Sequence, residues 1–314
     1  MPTPKATHDV EEESAARHMD AGGHVRVRVM TDVDLSRILD LRTVVRWSAD
    51  PQSFDLLRGI RDARWAVAET PAGDLIGMVG AVPLGRIGLL CQLAVHDDYR
   101  GFGIGSRLSA WAVAYLKSRG AKTIRLYATR RAEGLYRSLG FRAVAHRTKY
   151  RLKIGERGRE TTSEDAGYEV GPLVMADLPE VYGLDRWTYG GDRSAMIFAT
   201  LRLHPGRGFV IRDTSGRVKG YLMRGDAGHA TRIGPFVAET STAARLLLDN
   251  TLLDLKDTTV EVTVPGVGSE PAHTLFRERD FAGCEDRLCM ELGEPADAHP
   301  PGLVQYGTTS YLAT

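Results

Sequence analysis

Val95-His-Asp-Asp-Tyr-Arg-Gly-Phe-Gly-Ile-Gly-Ser-Arg-Leu108 decides how this chain folds, because it reads as the end of a buried strand, a glycine-rich turn and the start of a helix. Residues 89–95 are apolar except for Gln92, the pattern of a strand covered on both faces. From Ile104 the apolar positions change to helical spacing, with Leu108, Trp111, Ala112 and Tyr115 following. Lys117, Arg119 and Gly120 then supply a basic last turn and a glycine stop. The turn itself carries Arg100-x-x-Gly103-x-Gly105, and glycine lets backbone N–H groups approach an anion closely. The amides of Gly103, Ile104, Gly105 and Ser106 should lie at a helix N-terminus, where unpaired donors and the macrodipole both favour negative charge. The stretch is expected to cradle a phosphate.

A dinucleotide fingerprint would need Gly-x-Gly-x-x-Gly, which this turn lacks, and further matching sequence follows it. Residues 123–128 have strand character. Thr129 then precedes Ala132, Leu135, Tyr136 and Leu139-Gly140-Phe141. Strand, Arg-x-x-Gly-x-Gly and helix together resemble motif A of the GNAT acetyltransferases, and the downstream run resembles their motif B. Upstream, Val25, Val27 and Val29 alternate with Arg26 and Arg28 as a first strand, and Thr31 caps a helix carrying Leu35, Ile38 and Leu39. A second short helix is expected within residues 47–60. Strands at 65–69 and 75–82 turn back into the central strand, and 147–152 reads as a last strand. This is the GNAT order of elements, and the resemblance covers about residues 25–152.

Residues 155–167 are rich in Gly, Arg, Glu, Thr and Ser and read as a linker, after which the pattern repeats. Residues 172–184 mirror 31–41. Strands at 208–211, 218–224 and 231–237, a helix through Ala243 to Leu248, a strand at 259–264 and a motif B echo ending at Phe281 complete the copy. Where phosphate would bind, however, the second half has Glu239-Thr-Ser-Thr-Ala243, with no glycine and a carboxylate instead, so coenzyme is not expected there. Residues 184–194 and Ile233-Gly-Pro235 resemble the C-terminal domain of a bacterial tandem-GNAT group in which an active first copy precedes a degenerate second. The fold class implied is α/β with a mixed sheet. Two tandem GNAT-like domains are expected, each a mostly antiparallel meander with a splayed parallel strand pair and flanking helices. The expected organisation is a disordered tail over 1–23, a catalytic domain over 24–154, the linker, and a degenerate acceptor-side domain over 168–314.

With 314 residues, 43% of them hydrophobic, and a net charge of +1, the chain has material for two ordinary cores and no basic field to attract nucleic acid or an anionic membrane. Cys91, Cys284 and Cys289 are too few and scattered for a disulfide framework or a zinc site, and His8 and His18 lack metal-ligand spacing, so no metal is expected. No apolar run resembles a signal peptide or a membrane span, and a cytoplasmic protein is expected.

The family resemblance implies transfer of an acetyl group from acetyl-CoA to a primary amine by direct attack, with a small-molecule amine as acceptor. Alternatives are acetylation of a protein lysine or N-terminus, or a non-catalytic acyl-CoA-binding regulator. It further implies pyrophosphate held by Gly101, Phe102, Gly103, Ile104, Gly105 and Ser106, pantetheine paired along Leu93, Ala94 and Val95, and thioester polarisation by an N–H near Ala94 or Val95. Arg100 would either pair with phosphate or cap the turn. Tyr136 matches the family tyrosine placed to protonate the leaving thiolate. Thr129 stands where asparagine is common and reads as a helix cap, and Cys91 as an inert core thiol. No carboxylate general base occurs in residues 89–95 or 123–128. Asp185 and Asp192 are candidates for gripping a cationic amine; the competing reading has Asp185 capping a helix and Asp192 paired with Arg193. Residues 305–311 could fold back over the cleft or hang free.

Overall fold

In this computed structural model, residues 25–47, 54, 58–156, 167–226, 230–266, 269–295 and 303–308 are described. The expected tail, most of the linker and most of the expected helix within 47–60 lie outside them. The alternating valines form β1 (Arg26–Val29), an edge strand antiparallel to β2 (Arg64–Glu69). Arg28 ties the two to the following turn by donating to Glu69 at 2.9 Å and Asp34 at 2.7 Å. The pairing with Arg28 and two bonds from Thr31 hold the Asp34 carboxyl well below the usual carboxylate range, despite its burial. Next come α1 (Leu35–Val44) and an antiparallel meander of β2, β3 (Leu75–Leu84) and β4 (Ile87–Val95).

The long helix α2 (Ile104–Ser118) leads to β5 (Thr123–Ala128), a short α3 (Glu133–Ser138) and β6 (Arg142–Ile154). β4 is apolar on both sides because both are covered: Leu89 and Cys91 meet Trp65 and α1, while Leu90 meets Leu108 and Ala112 of α2. α2 can lie this close because Gly77 has no Cβ; one there would sit 2.9 Å from Leu108 Cδ1.

The second half repeats the order as β7 (Tyr168–Pro172), α4 (Leu178–Tyr189), α5 (Ser194–Leu203), β8 (Gly208–Asp213), β9 (Val218–Asp226), β10 (Ala230–Ala238), α6 (Ser241–Leu252), β11 (Thr258–Val264), α7 (Glu270–Glu278) and β12 (Ala282–Gly293). A short β13 (Val304–Gly307) follows. The strands join one sheet in the order β1-β2-β3-β4-β5-β12-β6-β11-β10-β9-β8-β7, with β13 alongside β10. The sixth strand of each half is thus exchanged. β12 pairs with β5 from Leu288↔Ala128 to Gly293↔Thr123, and β6 pairs with β11 from Thr258↔Ile154 to Val264↔Thr148. β6 and β12 also pair with each other, from Ala282↔Arg151 to Glu291↔Arg142.

The strand read at 147–152 therefore exists but extends over Arg142–Ile154 and lies beside strands of the other half. Alternation predicts a strand; it carries no information about which neighbour the strand takes. The halves also share a core, since Tyr189 and Met196 pack with Ile87 and Leu89. Asp192 N–H donates to Leu84 O at 2.9 Å, and a Cβ on Gly191 would come within 2.8 Å of that same oxygen, which accounts for glycine at 191, while a φ of 78° calls for it at 190. We expect a chain cut at a protease site placed within residues 157–166 to elute from size exclusion as one particle of the intact size in native buffer. Separation of the fragments would contradict the strand exchange.

Candidate active site

β4 and β5 run parallel and pair only from Ile87↔Thr123 to Leu89↔Arg125, after which they diverge. A β-bulge sharpens the divergence. Gly80 pairs with Cys91 and Met78 with Ala94, so Val79 opposes both Gln92 and Leu93, and Gln92 takes a φ of 53°. A side chain in that region costs of order 1 kcal/mol. The wedge opens into a cavity of about 560 Å³, walled by Leu93, Ala94 and Val95 on one side and Leu126, Ala128 and Tyr136 on the other. Because His96 N–H donates to Ile76 O of β3 at 2.8 Å, strand alternation turns the Val95 N–H the other way, into the wedge.

At the end of the wedge, Gly101 and Gly103 have φ of 87° and 75° with nothing near their absent Cβ atoms, so backbone conformation rather than crowding calls for glycine. The first helical bond is from Arg107 N–H to Gly103 O at 3.1 Å. Among the described residues, none of the six amides from Gly101 through Ser106 donates a hydrogen bond. Six adjacent undonated amides thus stand at the N-terminus of a fifteen-residue helix, an arrangement whose chemistry suits an anion. Arg100 holds the turn: its Nε donates to Val95 O at 3.2 Å and its guanidinium pairs with Asp97. Phe102 alone of the ten expected coenzyme residues is absent from the cavity wall, and it is exposed.

Tyr136 lines the cavity with its ring edge-on to Phe141, centroids 5.7 Å apart. Burial, with the nearby Cys91, pushes its phenol above the ordinary value of 10, so the hydroxyl keeps its proton at neutral pH. Burial likewise pushes the Cys91 thiol up to about 12. Thr129 stands at the expected cap position, but its carbonyl rather than its hydroxyl closes the turn, accepting from Ala132 N–H at 3.0 Å.

Asp185 and Asp192 lie outside the cavity wall, and neither takes the bond the competing reading gave it. Asp185 is fully buried and accepts from Arg193 Nε at 3.0 Å and from the Tyr221 hydroxyl, so its charge is already matched. Asp192 caps α5 by accepting from Ser194 N–H at 3.0 Å and pairs with Arg186. No Asp or Glu lines the cavity among the described residues. Sequence reading missed Val45, Trp47, Tyr127 and Arg287, which do line it. Gln92 had shown a signal, as the one polar residue in an apolar strand.

The second half has the same wedge, occupied differently. β10 pairs parallel with β11 from Ala230↔Thr259 to Ile233↔Val262 and then departs. The last three residues of β10, Phe236, Val237 and Ala238, correspond to Leu93, Ala94 and Val95 at the end of β4. There β13 pairs antiparallel with β10, and Thr308 N–H donates across to Thr263 O of β11 at 2.9 Å. Tyr306 is wholly buried, its ring centroid 5.1 Å from that of Phe236. The C-terminal run thus folds back into the wedge of its own half; residues 309–311 lie outside the described residues.

Models of the acetyltransferase (GNAT) domain match the chain twice, over residues 61–143 and 181–300, well over half its length together. The chain belongs to the GNAT acetyltransferases. Its tandem build is shared with a tandem GNAT protein from the clavulanic acid biosynthesis pathway, of TM-score 0.63 at 16% identity, covering 87% of this chain and 100% of that one. A putative acetyltransferase from Pyrococcus horikoshii has TM-score 0.73 at 18% identity, covering 92% of this chain and 95% of that one. An uncharacterized N-acetyltransferase, YitH, from Bacillus subtilis is 23% identical over 189 residues, 60% of this chain and 64% of that relative. Among the described residues of this GNAT protein, no group of three or more His, Cys, Asp or Glu side chains is placed to hold a metal, and no helix is long and apolar enough to cross a membrane.

Of the three thiols, Cys284 is exposed whereas Cys91 and Cys289 are buried, with Cys289 pushed up to about 11. We expect Ellman's reagent at pH 8 to label one thiol quickly and the other two only on unfolding. Rapid labelling of Cys91 would argue for an activated nucleophile instead.

Proposed function

We propose that the chain is an acyl-CoA-dependent N-acetyltransferase, with one coenzyme site per chain in its first half and a small-molecule primary amine as acceptor. The observation that carries this reading is the conjunction of six undonated amides at the start of α2 with a wedge whose wall includes Tyr136. The amides from Gly101 through Ser106 would hold the pyrophosphate. Leu93 and Val95 would pair with pantetheine, leaving a main-chain N–H to polarise the thioester carbonyl as charge develops on its oxygen. The neutral amine attacks that carbonyl; the new N–C bond forms as the C–S bond breaks. Tyr136 gives its proton to the departing sulfur and regains one from the acylated nitrogen through solvent.

With no carboxylate in the described wall, the amine reaches neutrality by losing a proton to water. A compact acceptor fits a cavity that elements of both halves enclose. In the second half, β13 and the glycine-free Glu239-Thr-Ser-Thr-Ala243 turn argue against a coenzyme site.

Replacing Tyr136 by Phe should lower kcat by ~10²-fold or more while acetyl-CoA binding by calorimetry is unchanged. An unaltered rate would remove the acid role. A phenol pKa raised above 10 keeps the acid form present as pH rises. We therefore expect kcat/KM to climb with pH through neutrality as the amine deprotonates, without a descending limb from Tyr136 below about pH 10. An ascending limb that levels off near pH 7 would reveal a base outside this scheme.

A further inference from the structure

Gln92 is a polar side chain only 4% exposed, held at a strained backbone position in the wall of the cavity. Its amide orientation is settled by chemistry. The Trp65 indole N–H, which can only donate, reaches Gln92 Oε1 at 3.0 Å, so that atom is the acceptor. Trp65 can come this close because Gly80 lies beneath it; a Cβ there would sit 2.8 Å from the indole nitrogen. With Oε1 so occupied, the two N–H donors of Nε2 are left for the cavity, and no described residue accepts from them.

A second donor group arrives through the strand exchange. Arg287 belongs to β12, one residue before the pairing with β5 begins at Leu288↔Ala128, and it lines the same cavity. Its cross-strand partner is Arg147 of β6, whose guanidinium lies 4.4 Å over the ring of Tyr127. Trp47, Val45 and Tyr127 provide the apolar part of this wall.

Such a wall offers hydrogen-bond donors, positive charge and apolar surface, and among the described residues it has no carboxylate to balance a second ammonium. Resting on the acetyltransferase reading above, we propose that the acceptor is an amine bearing a carboxylate on an apolar body, an amino-acid-like compound. Gln92 and Arg287 select it by donating to its carboxylate. Among the described residues of the wall, a polyamine or aminoglycoside finds no counter-charge.

The test compares acceptors on the full-length chain by thiol release from acetyl-CoA. Phenylalanine and leucine are set against their amides, against phenethylamine, and against spermidine and kanamycin. A kcat/KM at least tenfold higher for the carboxylate compounds is expected. Gln92→Leu and, separately, Arg287→Ala should raise KM for phenylalanine ~10- to 100-fold, as for loss of one hydrogen bond to a charged group. KM for acetyl-CoA and turnover of phenethylamine, which carries no acceptor oxygen, should stay unchanged. Arg287→Ala leaves the Trp65 bond intact and so stands as the test should Gln92→Leu fail to fold. Preference for spermidine, kanamycin or the amides overturns the inference while leaving acetyl transfer in place. Absence of transfer to every amine, with acetyl-CoA still bound, overturns acetyl transfer and the inference with it.

Discussion

The antiparallel pairing of β6 with β12 is the seam on which everything else in this molecule rests. Each of these strands belongs by sequence to one half and by its outer hydrogen bonds to the other, so neither half completes its part of the sheet without its partner. Further ties cross the same boundary. Arg125 of β5 and Glu291 of β12 form a nearly buried ion pair at 2.7 Å, and Thr123 donates to Glu294 O at 2.7 Å. Tyr189 of the second half closes the core beneath β4. A pair of this kind, taken out of water on both sides, gains more from fixing register than from its net energy.

The seam also delivers chemistry. Because β12 rather than β6 flanks β5, a side chain of the cavity wall, Arg287, comes from a segment some 180 residues downstream of the Gly101–Ser106 turn. The second copy of the fold therefore contributes to the first copy's cavity without a cradle of its own. On the proposed function, this suits a duplicated chain in which one half was released from the need to bind coenzyme. Its sequence could then change at the wedge and at the Asp185–Arg193 pair, which stiffens its interior instead.

Much of this was legible in the residues. The apolar run into Arg100-x-x-Gly103-x-Gly105 located β4 and α2, because backbone reach and helix periodicity leave little choice there. The duplication was visible in the repeated order of strands and helices. The exchange was not, since the alternation that marks residues 142–154 as a strand is indifferent to what lies beside it. Asp185 and Asp192 were read for their charge, and only the fold reveals the arginines that face them. Trp47 and Tyr127 carry no motif; they gain meaning from the wedge. Helix α5 was not among the elements read from the sequence; Gly190 and Gly191 turn the chain from α4 into it.

A diverging pair of parallel strands leaves two rows of main-chain groups facing each other across a gap, and exposed rows of that sort invite pairing with any extended segment, including one from another molecule. β13 answers this hazard in the second half: a few residues of the chain's own tail cap the bare edge of β10 with peptide hydrogen bonds. Pantetheine, a linear molecule with two amides, can pair with a bare strand edge much as a short peptide does. On the proposed function, the first half leaves the corresponding duty to its cosubstrate, so coenzyme supply would govern how sticky this protein is as well as how fast it works.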